Sequence, residues 1–226
     1  MRQIRFSQIC VFAALFSLTM MLGIGITALV FGGLFLGDFR GIFLFAVCVI
    51  LTYISGILVY RLFLYVAPLH AGEITEGSRQ EFIYHVYVLF YLILFYPIMR
   101  SGFVPTPIMR LFYLALGTKM GKNTYSQGII HDPPFIEIGD NCTIGQYALL
   151  IPHVIEGDRL AHFPINLGNH VTVGAHAVVL SGVVIGDHAI VATGAVVLKG
   201  TRIGPGEVWG GVPARRLKTG AQAPQA

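Results

Sequence analysis

The chain has 226 residues, of which 55% are hydrophobic and only 12% charged, and its mean hydropathy is +0.72. A soluble domain carries about 25% charged residues, so this composition excludes a wholly water-exposed globule and requires surface that faces lipid or is fully buried. The formal net charge of +4 is modest and its basic residues form no stripe, which argues against nucleic-acid binding; three distant cysteines, Cys10, Cys48 and Cys142, make no disulfide framework and fit a reducing compartment.

Arg2 and Arg5 lead into an apolar run from Ile9 to Leu36. The apolar core of a cleaved signal peptide is only about 7–15 residues long, whereas about 20 helical residues cross a bilayer, so the run reads as a span. After a break at Asp38 and Arg40, a second span runs from Ile42 to Tyr60 and is closed by Arg61. His70 to Glu81 is polar and acidic. A third apolar stretch, Phe82 to Met99, is rich in aromatics and carries Pro97. Pro107 to Met120, with Arg110 and Lys119 flanking Leu111 to Leu116, is too short to span and reads as an interfacial helix. Residues 1–119 are therefore expected to form a membrane domain of two or three transmembrane helices plus that interfacial helix.

Orientation is contested within the sequence. With the N-terminus inside, three full spans put the rest of the chain outside. Arg100, Arg110, Lys119 and Lys122 instead mark the side after the third stretch as cytoplasmic. Either the N-terminus is outside, or the Pro97 region folds back without crossing. The expectation is a multi-pass protein of the inner (cytoplasmic) membrane whose second half is cytoplasmic, with the number of crossings open.

That second half, residues 120–218, repeats in sixes. From Leu167 the rows are L-G-N-H-V-T, V-G-A-H-A-V, V-L-S-G-V-V, I-G-D-H-A-I, V-A-T-G-A-V, V-L-K-G-T-R, I-G-P-G-E-V and W-G-G-V-P-A. The first slot holds Leu167, Val173, Val179, Ile185, Val191, Val197, Ile203 and Trp209, and the second is small in most rows. A short strict period of this kind marks a stacked β-solenoid: each row sends one bulky side chain to the axis of a triangular coil, and neighbouring coils satisfy each other's backbone groups. The fold class expected is therefore α plus β-solenoid, transmembrane helices followed by a parallel β-helix. Earlier rows, M-G-K-N-T-Y, I-G-D-N-C-T and I-G-Q-Y-A-L, belong to the same wall, with Asp132-Pro133-Pro134 as an irregular corner. Leu150 and Leu167 lie seventeen residues apart, one short of an eighteen-residue coil, so residues 151–166 must leave the regular wall. Residues 219–226, rich in Ala, Gln and Pro, read as a disordered tail.

Gly-rich repeats catalyse nothing by themselves, so the break is where chemistry is expected. It holds His153, Glu156, Asp158 and His162 within ten residues. A neutral imidazole can take a hydroxyl or amine proton near neutral pH, and a carboxylate fixes its tautomer and supports the imidazolium. His153 is the candidate base, with Glu156 or Asp158 to orient it; a polar surface loop with incidental histidines is the alternative. His131, beside Asp132, is a second candidate because stacked coils bring distant rows together. His170, His176 and His188 share the fourth slot and should point outward at corners. His85 lies in the third apolar stretch, either embedded or interfacial. Zinc held between subunits by three histidines would use His153 and His162, but Gln146 and Tyr147 stand where a third ligand is needed, so no metal is expected.

The histidine of I-P-H, then F-P-I-N-L-G-N-H-V-T-V-G-A-H, I-G-D-H-A-I-V-A-T-G-A-V-V-L-K-G and G-V-P-A-R-R-L-K resemble the left-handed β-helix (hexapeptide-repeat) acyltransferases, such as the galactoside, maltose and colanic-acid-type acetyltransferases. H-V-I-E-G-D-R, V-V-L-K-G-T and W-G-G-V-P-A are also similar to the C-terminal modules of membrane-bound, Pls-type peptide synthetases. The resemblance covers about Met120 to Lys218. It implies a left-handed coil, a homotrimer, and transfer of an acyl group, usually acetyl, from coenzyme A to a hydroxyl or amine. On it His153 matches the catalytic base; Ala175, Thr193 and Lys199 would line the donor groove between adjacent prisms, with Lys199, Arg215 or Lys218 near the donor phosphates. The loop from His153 to Phe163 is shorter than in the sugar acetyltransferases and nearer the synthetase type. With the apolar half of the chain, this points to an acceptor at the membrane. A non-catalytic membrane scaffold and a zinc-dependent hydrase are the competing readings.

Overall fold

The computed structural model describes residues 2–218; the stretch expected to be a disordered tail lies outside them. The chain divides into two compact units. One comprises residues 2–69 and 75–97, the other residues 70–74 and the chain from Ile98 onward.

The first unit is helical. Helix α1 (Phe6–Ile26) continues through a wider turn to Phe31, and α2 (Arg40–Val66) follows a short turn at Gly37–Phe39. Helix α3 (Arg79–Phe90) runs on through Tyr91–Phe95 into α4 (Tyr96–Arg100). Three helical stretches, Phe6–Phe31, Gly37–Val66 and Arg79–Arg100, are long and apolar enough to cross a membrane. Small residues set the helix packing: between α1 and α2 a Cβ on Gly23 would lie 2.2 Å from Thr52 Oγ1, and between α2 and the continuation of α3 one on Gly56 would lie 2.5 Å from Leu94 Cδ2. Helices that bury no water between them rely on such close approach. His85 is buried, and its Nδ1–H donates to Gln8 Oε1 at 3.0 Å, next to an Arg2–Glu81 ion pair at 3.0 Å.

The second unit is a three-walled parallel β-helix with α5 (Thr106–Leu116) at its base. The first wall stacks Lys119–Met120, Ile136–Ile138, Ile165–Leu167, Val184–Ile185 and Arg202–Ile203. The second stacks Tyr125–Ser126, Thr143–Ile144, Thr172–Val173, Ile190–Val191 and Val208–Gly210, closed by the antiparallel strand Arg215–Lys218. The third stacks Ile129–Ile130, Leu149–Ile151, Val178–Leu180 and Val196–Val197.

The six-residue code has a physical counterpart at each slot. First-slot side chains point to the axis and are buried, from Ile144 and Val173 at 0% exposure to Leu167 at 5%; Trp209, at the top, is half-buried and donates from Nε1 to Glu207. The fifth slot is a second buried layer that the sequence analysis did not single out: Val171, Ala177, Val183, Ala189 and Ala195 are all fully buried. The fourth slot takes the left-handed conformation, with φ of 57° at His170 and His176 and 59° at His188. All three rings are exposed, as expected, and His170 stacks on His188 at 4.6 Å between centroids. The second slot must be small because coils nearly touch there: a Cβ on Gly174 would lie 2.4 Å from Thr193 N.

Helix α5 starts at a Thr-Pro pair and stops at Gly117, whose φ of 114° ends the helix. It buries Met109, Tyr113 and Leu116, spaced at helical intervals, against the β-helix. Tyr113 Oη donates to Gly128 O and accepts from Ile130 N, while Arg110 donates to the carbonyls of Thr124 and Gly121. The helix expected to belong with the membrane half is thus an integral part of the β-helix unit.

Candidate active site

The register shows where the repeat is broken. Val173 pairs with Val191, eighteen residues on, but Ile144 pairs with Val173, twenty-nine residues on. The extra eleven residues are not a shortened coil. They leave the corner between the third and first walls as an antiparallel hairpin, His153–Glu156 against Arg159–His162, turning at Gly157 with φ of 57°. Gly72–Glu73 adds a third strand, pairing Gly72 with His162, and Glu73 holds Arg159 at 2.6 Å.

One coil below, the same corner is displaced. Ile130 pairs with Leu150, twenty residues on, because Asp132-Pro133-Pro134 bulges at the corner while the preceding corner is shortened. Asp132 has φ of 44°, a left-handed conformation that the residue before a proline seldom takes, and its carbonyl accepts from Phe135 N at 2.9 Å. The two irregular corners stack, and a buried Asp132 meets the first residue of the hairpin.

His153 Nδ1 lies 2.5 Å from Asp132 Oδ2. Burial works against the Asp132 carboxylate, but the hydrogen bond and charge of His153, with smaller contributions from His162 and His131, hold its pKa down at about 2. The ionised carboxylate can only accept, so Nδ1 carries the proton and the neutral ring keeps its lone pair on Nε2. For His153, burial favours the neutral ring, yet the Asp132 hydrogen bond and charge outweigh it and raise the pKa above the ordinary 6.5. Its side chain is 26% exposed, whereas that of Asp132 is 5% exposed.

Two more rings frame the pair. His131 stands edge-on to His153 with centroids 5.8 Å apart, and burial, partly offset by Asp132 and reinforced by His153, takes its pKa down to about 4. His162 is fully buried, stacks on Phe135 at 4.4 Å and sets Nε2 4.0 Å from Asp132 Oδ1. Burial is the main reason its pKa is lowered. Ser181, two coils above Asp132 at this corner, is buried with no hydrogen-bond partner for its hydroxyl among the described residues.

The carboxylates expected to orient His153 are elsewhere. Glu156 sits at the exposed end of the hairpin, bonded to Lys199 and to Arg159, and Asp158 is in the turn. Hairpin geometry explains the correction: three residues along an extended strand carry Glu156 about 10 Å from His153. Asp132 takes that position instead. The signal that could have found it is the irregular Asp-Pro-Pro corner together with the altered spacing from Ile130 to Leu150.

The expected donor residues do not form one cluster. Ala175 and Thr193 stack on the corner between the second and third walls, where a Cβ on Gly174 would touch Thr193 N. Lys199 is on the corner that carries the hairpin, bonded to Glu156. Arg215 and Lys218 are exposed on the strand that closes the second wall, with Arg216 between them paired to Glu207 at 3.0 Å. Among the described residues, no three His, Cys, Asp or Glu side chains are arranged to hold a metal ion. His162, stacked inside its own chain on Phe135, does not fit a zinc site shared with a second protomer.

Comparison with known proteins places this geometry in context. The description "Bacterial transferase hexapeptide (six repeats)" matches residues 164–199. Gamma carbonic anhydrase 1, mitochondrial, of Arabidopsis thaliana is 43% identical over 81 residues, which is 36% of this chain and 25% of that protein. Galactoside O-acetyltransferase of Escherichia coli K12 is 30% identical over 136 residues, covering 55% of this chain and 64% of that one. The chain thus spans a quarter of the length of the plant relative and under two thirds of the bacterial one. Among solved structures, a hexapeptide-repeat acetyltransferase of Vibrio cholerae with acetyl coenzyme A is 26% identical, covers 47% of this chain and 62% of its own, and has a TM-score of 0.44. A galactoside acetyltransferase with coenzyme A is 22% identical, covering 74% and 81%, at a TM-score of 0.43. Over residues 164–199 the β-helix matches the hexapeptide-repeat description, and over part of its length it is similar to both sequence relatives.

Proposed function

We propose that the protein is a membrane-anchored acyltransferase that moves an acyl group, acetyl in the simplest case, from acyl-coenzyme A to a hydroxyl or amine of a membrane-associated acceptor. The observation that carries the reading is the His153–Asp132 pair at the interrupted corner. His153 Nε2 takes the acceptor proton as the acceptor oxygen or nitrogen attacks the thioester carbonyl. The carbon–sulfur bond then breaks, the imidazolium returns the proton, and coenzyme A leaves as the free thiol. Asp132 fixes the tautomer and supports the imidazolium, the role first expected of Glu156 or Asp158; His131 excludes water from one side.

The donor would run along the Ala175–Thr193 corner of a left-handed prism, with Arg215 or Lys218 toward its phosphates and the groove completed by the adjacent protomer of a homotrimer. Residues Phe6–Phe31 and Gly37–Val66 would cross the inner membrane, the β-helix lying on the cytoplasmic side, where acyl-coenzyme A is made. The length and apolar character of these helices support the crossing.

Thiol release from acetyl-coenzyme A by membranes bearing the wild type or His153→Ala tests the reaction. Turnover in the wild type that disappears in the variant is expected. Equal, near-background release from both would leave the scaffold reading in its place. The similarity to gamma carbonic anhydrases favours a hydrase as second reading, which carbon dioxide hydration by the same membranes would reveal.

A further inference from the structure

Helix α5 has two apolar faces and only one of them is covered. Met109, Tyr113 and Leu116 pack on the β-helix, while Ile108 is 56% exposed and Leu111 62%, one turn apart on another face. Phe103, just before the helix, is 89% exposed. Arg110, whose charge would break an apolar surface, is turned inward onto two backbone carbonyls. From Arg100 to Lys122 the chain has no acidic residue, and Lys119 is paired with Glu137 on the first wall. The helix begins five residues after α4 ends at Arg100, so the linker can reach only about 20 Å from the end of a helix apolar enough for a bilayer.

We propose that α5 lies in the plane of the bilayer surface, with Phe103, Ile108 and Leu111 among the lipids. This rests on the membrane-anchored reading above and adds to it the depth of the active site. Pro133–Phe135, the turn that follows Asp132, packs against α5. A helix with its side chains is about 10–12 Å across, so the His153–Asp132 pair stands roughly one helix diameter from the lipid. A reactive group at that height belongs to a headgroup or a short lipid-linked glycan. A water-soluble sugar would gain nothing from the arrangement.

The test uses the full chain reconstituted in vesicles of phosphatidylethanolamine and phosphatidylglycerol. Cys10 and Cys48 are replaced by serine and Cys142, which is fully buried, is kept. A fluorophore is placed at Leu111→Cys, and in a second preparation at Arg202→Cys on the far end of the first wall. The label at 111 should be quenched by doxyl-lipid and shielded from iodide, and the label at 202 the reverse. Protein that fails to partition with the vesicles would overturn the anchored reading itself. Protein that partitions while label 111 is quenched by iodide would overturn this inference alone, as would shielding from both quenchers with close contact between labels of two protomers, which would mean a second copy covers the face. Ile108→Asp with Leu111→Asp should reduce transfer to a lipid-borne acceptor about tenfold and leave thiol release with a soluble acceptor unchanged. Equal loss on both acceptors would also overturn it.

Discussion

The upper and lower halves of the β-helix are built from the same six-residue code but put it to different use. Above Leu167, coils follow each other at eighteen residues from Val173 to Val191 and from Leu167 to Ile185, and the corner between third and first walls is a plain turn through Ser181-Gly182. Below it the same corner holds the Asp132 bulge and the hairpin of residues 153–162, and the rings of His131, His153 and His162 gather there. The regular half supplies rigidity: each inward side chain is locked by its copies above and below. The irregular half uses that rigidity to hold a charged pair whose parts lie twenty-one residues apart. A carboxylate left buried without its partner would cost several kcal/mol, so the irregular corners are mutually dependent.

Five measurements would break or sharpen that contrast. His153→Ala should lower acyl transfer by about 10²–10⁴-fold and, because it leaves the Asp132 carboxylate buried without its partner, should also lower the melting temperature of the β-helix; a full-rate variant would show that the irregular half is not catalytic. Asp132→Asn should lower the rate by about 10²-fold and also move the pH–rate limb. Because Asp132 raises the His153 pKa above 6.5, the base is free only above that value. Without the carboxylate, burial dominates and the limb shifts to lower pH. A limb that stays in place would mean that another group titrates.

Ile185→Ala, in the regular half, should destabilise by about 2–5 kcal/mol in denaturant unfolding yet leave the pH–rate limb where it was, separating scaffold from site. Acid titration of stability is a subtler check. Asp132, lowered from 3.8 to about 2, contributes stability that is present above 3.8 and lost as pH falls through about 2. His131, lowered from 6.5 to about 4, removes stability as pH falls between those values, because only the unfolded chain takes the proton. His153, raised, contributes in the opposite sense: its share is full below 6.5 and is lost as pH rises through its folded value. His131→Gln should therefore flatten the acid limb between 6.5 and about 4. The smallest effect is expected from Glu156→Gln, which should leave the rate within about twofold, since that carboxylate bonds exposed Lys199 and Arg159 and not His153.

Much of this was legible in the residues. The first-slot series from Leu167 to Trp209 gave the coil, its axis and the break at 151–166, because a period of six admits one inward direction per row. The outward corner histidines followed from the same count. His153 drew notice because it stands at the break. Its partner did not, since sequence proximity favoured Glu156 and Asp158, and only the stacking of coils brings Asp132 to it.

The sequence by itself determined the repeat, the buried slots and the apolar character of the helices, because each depends on side chains at fixed local spacing. The tertiary structure decided which carboxylate meets His153, that the extra residues form a hairpin rather than a partial coil, and that α5 belongs to the β-helix. Those outcomes depend on how far one irregular corner is displaced relative to another, and that displacement is set by packing between coils, which no local period encodes.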